Sequence, residues 1–165
     1  MAKIGVFFGS SSGNTEDAAK QIAEALGAEA TEISSTSEEE ILECDYIVFG
    51  ASTWGAGDLQ DDFDDFMGTL EGMDFSGKKV AVFGLGDQEG YPDTFVDGMG
   101  VVGQAVEAAG GELVGAVSTD GFEYDASEAE ADGKFIGLVL DEDNQSDQSA
   151  DRIAAWVAEL KKSFV

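Results

Sequence analysis

The first residues suited to ligand chemistry form a hydroxyl-rich loop near the N-terminus. It reads Gly9-Ser10-Ser11-Ser12-Gly13-Asn14-Thr15 and follows a short apolar run. Backbone N–H groups at the start of a helix bind phosphate, because that end of the helix carries partial positive charge. The loop has no lysine or arginine, so dipoles and hydroxyl groups alone would hold a phosphate there. These residues leave a second interpretation open, in which the serines only cap a helix.

Two common phosphate-binding motifs do not match this loop. A P-loop has one more residue between its glycines and a lysine where this chain has Asn14. The glycine pattern of dinucleotide-binding folds is also absent from this turn. The loop therefore favours a phosphate monoester held without a cation.

Two glycine-rich loops further along the chain each carry an aromatic side chain. The loop 52–58 contains Trp54, and the loop 84–91 ends in Tyr91. Indole and phenol rings stack on flat aromatic ligands, while loop amides and carbonyls can bond the ligand's polar edge. Taken alone, a loop tryptophan such as Trp54 more often folds back on the core than marks a binding site, but three loops at one edge favour a site.

Alternating strands and helices must position these three loops. Short apolar runs predict strands at residues 3–9, 30–34, 45–51, 78–84 and 112–118. Apolar stripes at helical spacing follow the first, third, fourth and fifth runs, and the last stripe runs from Ile153 to Phe164. A capping box formed by Ser37 and Glu40 predicts a short acidic helix after the second run. This alternation predicts an α/β fold with a parallel sheet and helices on both faces. All three loops would then meet at the carboxyl edge of the sheet, where such folds bind ligands.

Composition and charge narrow the function further. Aspartate and glutamate number 35 against 8 lysines and arginines, which gives a net charge of −27, and the chain has no histidine. The negative charge therefore disfavours nucleic acid and anionic membranes as partners, and the absence of histidine excludes catalysis that needs it. The one cysteine, Cys44, agrees with a reducing cytoplasm, and no signal peptide or membrane span is recognised.

In their order and spacing the three loops resemble those of flavodoxins. The motifs are Gly-Ser-Ser-Ser-Gly-Asn-Thr, Thr-Trp-Gly-Ala-Gly and Gly-Asp-Gln-x-Gly-Tyr. The segment from Ser118 to Gln145 resembles the long-chain subgroup. The resemblance implies one domain over residues 1–165, built as a three-layer flavodoxin-like sandwich with an insertion at about 119–145. Its five-stranded order, 2-1-3-4-5, is carried over from the family rather than derived from this sequence. The apolar run 135–140 within the insertion could add a strand.

The same resemblance implies a non-covalent FMN site. The phosphate would be held by Ser10, Ser11, Ser12, Gly13, Asn14 and Thr15. The isoalloxazine would lie between Trp54 and Tyr91, with Thr53, Gly55, Ala56 and Gly57 near N5 and with Gly86 and Asp87 near the pyrimidine edge.

The implied activity is low-potential, one-electron transport between the semiquinone and hydroquinone states of FMN, without enzymatic turnover. A site with no cation inside a strongly negative protein would disfavour the anionic hydroquinone. We expect a cytoplasmic monomer that docks basic surfaces of redox proteins, such as a ferredoxin/flavodoxin-NADP reductase or other low-potential oxidoreductases. The acidic residues that follow the Trp54 loop would face such partners; they are Asp58, Asp61, Asp62, Asp64 and Asp65.

Three other interpretations are weaker. An NAD(P)H-dependent quinone or FMN reductase on the same fold would need cationic contacts to nicotinamide, and we find no motif for them. A signalling receiver domain would need an acceptor aspartate after the third strand, where Gly50-Ala51-Ser52 stands. The run 141–147 resembles part of a calcium loop, but Ser146 and Arg152 occupy the positions of the required glycine and glutamate. We predict no metal site.

Overall fold

The computed structural model describes residues 3–9, 13–54 and 57–164, with only the backbone of Trp54. The strands in these ranges are β1 (Ile4–Gly9), β2 (Ala30–Glu32), β3 (Tyr46–Trp54), β4 (Asp58–Leu59), β5 (Lys79–Leu85), β6 (Glu112–Leu113), β7 (Val117–Ser118), β8 (Glu130–Ala131), β9 (Lys134–Phe135) and β10 (Leu138–Leu140). The helices are α1 (Asn14–Leu26), α2 (Glu38–Leu42), α3 (Asp61–Glu71), α4 (Asp97–Ala108) and α5 (Ser149–Ser163), with 3-10 turns at Ile33–Ser35 and Ser146–Gln148. Within these ranges, no helix is both long enough and apolar enough to cross a bilayer.

The central sheet is parallel along the path β2-β1-β3-β5-β10. Val6 of β1 lies opposite Ala30 on one side and Val48 on the other, and Val48 lies opposite Ala81. Apolar residues fill the central strands almost without interruption, as expected for strands covered on both faces. The predicted α/β class with a parallel sheet is confirmed.

Side chains alternate between two cores, one on each face of the sheet. Phe7 and Phe49 pack against α3 and α4, through residues such as Phe63 and Met99. The neighbouring side chains on the same strands face α1 and α5, in a cluster that includes Val48, Ile22, Trp156 and Leu160. Because successive strand residues point to opposite faces, a continuous apolar run supplies both layers.

The fifth strand differs from the prediction. A continuous strand over 112–118 is wrong, because only β6 joins the central sheet there, next to Lys79 and Val80. β7 leaves it and enters a separate antiparallel sheet with the order β7-β9-β8. The chain returns as β10, beside the carboxyl half of β5. Two short segments, on either side of residues 114–137, therefore share the edge position next to β5.

The chain can return to the edge of the sheet because its backbone passes close to that of Val82 at Gly137. A Cβ placed on Gly137 would lie 1.9 Å from the carbonyl oxygen of Val82, so any larger residue would push β10 away from the sheet. The excursion itself is packed by aromatic rings. Phe122 and Tyr124 lie 5.7 and 5.4 Å from Phe95, measured between ring centroids. These contacts attach the segment to the start of α4.

Candidate functional site

A cavity of about 230 Å³ opens at the carboxyl edge of the central sheet. Six residues that were predicted to bind the ligand line it: Asn14, Thr15, Thr53, Gly86, Asp87 and Tyr91. Four lining residues were not predicted: Ser52, Leu85, Glu142 and Asp143. The structure therefore brings parts of all three predicted loops to one site.

The other predicted site residues are either outside the described residues or not among those that line the cavity. Ser10, Ser11, Ser12, Gly55 and Ala56 lie outside the described residues. The Trp54 backbone ends β3, and its side chain is not described. The structure describes Gly13 and Gly57, but neither is among the residues that line the cavity. Ligand-binding roles for all the predicted residues, including those that line the cavity, stay predictions.

The start of α1 forms one end of the cavity. Asn14 and Thr15 are the first two residues of this helix, and both line the cavity. Thr15 is only 1% exposed, so its hydroxyl group is held in place by the surrounding protein. The first N–H groups of a helix have no partner within the helix, and together with this hydroxyl group they suit an anion.

A hairpin carries the predicted N5 loop. The end of β3 pairs antiparallel with β4, with Thr53 opposite Leu59 and Trp54 opposite Asp58. Gly57 closes the turn at φ 97°, a conformation that glycine adopts readily. The hydroxyl oxygen of Thr53 accepts a hydrogen bond from the Gly98 amide at 2.8 Å. The first turn of α4 therefore holds the hairpin in position.

The third loop presents Asp87 and Tyr91. The carboxylate of Asp87 accepts hydrogen bonds from the amides of Glu89 and Gly90 at 3.1 and 2.8 Å, and from Asn144 Nδ2 at 2.8 Å. The Gly90 bond and then the Asn144 bond lower the pKa of Asp87. Tyr91 is 46% exposed, an unusual exposure for a large ring and one that suits stacking on a flat ligand.

A buried carboxylate supports this loop from behind. Asp141 is fully buried and accepts hydrogen bonds from the Gln88 amide at 3.1 Å, from Gln88 Nε2 at 2.8 Å and from the Asn144 amide at 3.1 Å. Gln88 Oε1 in turn accepts a bond from the Glu123 amide at 2.7 Å. The network joins the ligand loop to the excursion of residues 114–137.

Replacing Asp141 with asparagine should weaken this network. The new amide group cannot accept as many bonds, so a donor on the buried Gln88 or on Asn144 loses its acceptor. We expect the free energy of unfolding to fall by about 1–2 kcal/mol, measured by urea denaturation. Asp143→Asn is the matched control. Asp143 is exposed and its charge is opposed by neighbouring carboxylates, so its replacement should leave stability unchanged or raise it slightly. Equal stability of both variants would show that the Asp141 network contributes little.

Negative charge dominates the edge of the cavity. Carboxylate oxygens of Asp87, Asp141 and Asp143 all lie within 4.8 Å of one another. Partial burial, and then the charges of Asp87, Asp141 and Glu142, raise the pKa of Asp143. Among the described residues that line the cavity, none is a lysine or an arginine. Any further negative charge placed here is therefore opposed by the site.

One buried polar atom indicates that the cavity accepts a polar ligand. Ser52 is 8% exposed, lines the cavity, and its hydroxyl group has no hydrogen-bond partner among the described residues. Buried hydroxyl groups in proteins are nearly always paired, so this group fits a ligand that supplies the partner. Ser52 was missed because it lies inside β3; its position directly before Thr53 was the available signal.

Comparisons with known proteins agree on one family. A family model described as Flavodoxin matches residues 6–156. The flavodoxin of Picosynechococcus sp. is 45% identical over 168 residues, covering 99% of each chain. The flavodoxin of Helicobacter pylori is 46% identical over 165 residues, again covering 99% of each chain.

Solved structures show the same similarity. Fusobacterium nucleatum flavodoxin bound to flavin mononucleotide matches with a TM-score of 0.93 and 31% identity, covering 99% of both chains. Oxidised flavodoxin 1 of Bacillus cereus matches with a TM-score of 0.72 and 28% identity, covering 97% of this chain and 98% of the other.

Proposed function

Because this chain belongs to the flavodoxin family, we propose that it carries FMN in the cavity between α1, the β3–β4 hairpin and the Asp87 loop. It is an electron carrier rather than an enzyme, and the alternative of an NAD(P)H-dependent reductase is not favoured. The observation that carries the proposed site is the convergence of Thr15, Thr53 and Tyr91 on one cavity. Bound FMN supplies the one-electron chemistry, and the protein supplies binding, orientation and the surrounding charge.

We assign the two ends of the ligand from the polarity of the cavity. The N-terminus of α1, with the buried Thr15 hydroxyl group, suits the phosphate. The exposed ring of Tyr91 suits one face of the isoalloxazine, and Trp54 is proposed to cover the other face. The hydroxyl group of Ser52, which has no partner in the described part of the chain, fits a polar atom of the ligand between these two ends.

The charge around the cavity is proposed to set a low potential. Asp87, Glu142 and Asp143 line the site, and the part of the lining that the structure describes contains no cation. Each electron that stays without a proton adds negative charge, and nearby carboxylates in a poorly screened site oppose it. We therefore expect the second reduction step to occur at a much lower potential than the first.

An acidic docking surface is proposed on α3. Asp61, Asp64 and Asp65 are exposed on this helix, while Phe63 and Met67 face the core. The helix begins directly after β4, so its acidic face lies next to the hairpin of the site. A redox partner with a basic surface matches this charge, including reductases of the ferredoxin/flavodoxin-NADP type and other low-potential oxidoreductases.

Three finer assignments belong to this proposal. The excursion of residues 114–137, folded and inserted at the fifth strand position, supports the long-chain subgroup. A monomer is supported by the small number of exposed large apolar side chains, since only Tyr91 and Val101 qualify among the described residues. The buried free thiol of Cys44 is compatible with work in the cytoplasm.

Reconstitution followed by reductive titration tests the proposed function. The protein should bind one FMN per chain, and stepwise reduction should resolve two one-electron steps with separate potentials. Mixing the loaded protein with NADPH and a quinone should give no catalytic turnover, which distinguishes a carrier from a reductase. A colourless protein that takes up no added FMN would refute the proposal.

A further inference from the structure

A second cavity lies away from the proposed FMN site, under the excursion of residues 114–137. It has a volume of about 310 Å³. Its apolar lining comes from Val117, Phe122, Leu138 and Trp156, and the side chain of Arg152 belongs to the same wall. None of its lining residues also lines the proposed FMN cavity.

Arg152 is incompletely paired in this wall. Its guanidinium carbon lies 4.1 Å above the centre of the Phe122 ring, and Nη2 donates to Gln148 Oε1 at 3.0 Å. Nη1 is buried and has no hydrogen-bond acceptor among the described residues. Such an atom is costly to leave unpaired, because burial removes its water and nothing replaces it. Burial accordingly lowers the pKa of Arg152, and Asp141 and Asp147 partly offset this effect.

The charges at the rim restrict which anion would pair with Arg152. Asp120 and Glu159 also line the cavity, and both are exposed. Two carboxylates at the solvent side repel a ligand with several negative charges, such as a nucleotide or a free phosphate. A single carboxylate with an apolar body avoids most of this repulsion and matches the apolar lining.

From this arrangement we propose that the cavity is a binding site for a small monocarboxylate with an apolar body, whose carboxylate pairs with the guanidinium group of Arg152 after Nη1 turns towards the cavity. A cavity of about 150 Å³ lined by apolar side chains can hold benzene. This cavity is about twice that size, which suits an aromatic or short aliphatic acid. The ring of Trp156 forms part of the site, and its indole nitrogen already donates to the Gly115 carbonyl oxygen at 2.7 Å.

NMR of the FMN-loaded protein tests the proposal with phenylacetate as the probe. Titration should shift the indole N–H signal of Trp156 and the amide signals of Val117 and Ala155, with half-saturation at about millimolar concentration, as expected for so small a ligand. Phenylacetamide has nearly the same shape without the charge. It should bind at least tenfold more weakly, because a hydrogen bond to a charged group is lost.

Two variants separate this site from general effects. Arg152→Gln should remove the preference for the acid over the amide, and Arg152→Lys should restore part of it. Ala155→Leu fills the apolar side of the cavity from an exposed position on α5, and it should weaken acid and amide alike. The backbone N–H NMR spectrum and the FMN content of each variant show whether its fold is retained. Equal binding of acid and amide by the unmodified protein, or no shifts at these residues up to about 10 mM probe, would overturn the proposal.

Discussion

Changing Asp61, Asp64 and Asp65 to asparagine should slow electron transfer to a partner with a basic surface. Fields of one sign raise encounter rates by about 10–1,000-fold at low salt. Removing three exposed charges from α3 should therefore reduce the bimolecular rate by about tenfold or more, measured by stopped flow at low ionic strength. Added salt should slow the unmodified protein in the same way, since the screening length falls to about 10 Å at 0.1 M.

A second triple variant controls for net charge. Glu24, Glu29 and Glu107 are exposed near the ends of α1 and α4, at the opposite edge of the sheet from the cavity. Changing them to glutamine removes the same number of charges, and we expect a much smaller loss of rate. FMN affinity should be unchanged in both triple variants. If the two triples slow transfer equally, α3 is not the docking surface.

Salt should act on stability in the opposite direction. The net charge is −27, so negative side chains repel one another in the folded state, and screening by salt stabilises the fold. The melting temperature should therefore rise over the same salt range in which electron transfer slows. Opposite slopes in one titration distinguish impaired docking from damage to the protein.

Replacing Thr15 with valine should weaken FMN binding by about 10- to 100-fold. Valine keeps the shape of threonine in this buried position and removes only the hydroxyl group. A hydrogen bond to a charged group is worth about 1.5–3 kcal/mol, which gives this range when converted to a ratio of dissociation constants. Fluorescence titration of the apoprotein with FMN provides the measurement.

Two comparisons make this result specific to phosphate. Thr15→Ser keeps the hydroxyl group and should bind FMN nearly as well as the unmodified protein. Riboflavin lacks the phosphate, so Thr15→Val should change its affinity little. An equal loss of affinity for FMN and for riboflavin would show that the phosphate does not bind at the start of α1.

The sequence predicted the features that depend on local patterns. Continuous apolar runs such as the one around Val48 mark parallel strands covered on both faces, and glycines and hydroxyl groups mark the loops at their ends. Because parallel strands point the same way, those loops had to meet at one edge. Thr15, Thr53 and Tyr91 were therefore placed at the cavity from sequence alone.

Features that depend on contacts between distant segments were missed. The run at 112–118 has strand composition, but its second half pairs with β9 in another sheet, and pairing partners cannot be read from one segment. Glu142 and Asp143 reach the cavity only because β10 completes the edge beside β5. The buried role of Asp141 depends on donors from Gln88, which lies far away in the sequence.

The divided edge position has an evolutionary consequence. Leu113 lies opposite Val80 and Leu138 opposite Phe83, so a continuous strand would need only the two positions opposite Ala81 and Val82 between them. Deleting residues 114–137 and inserting a two-residue bridge would leave the order and register of the remaining strands unchanged. The register of the sheet therefore does not prevent the gain or loss of this segment by recombination. The edge beside β5 is the place where this architecture tolerates a change in length.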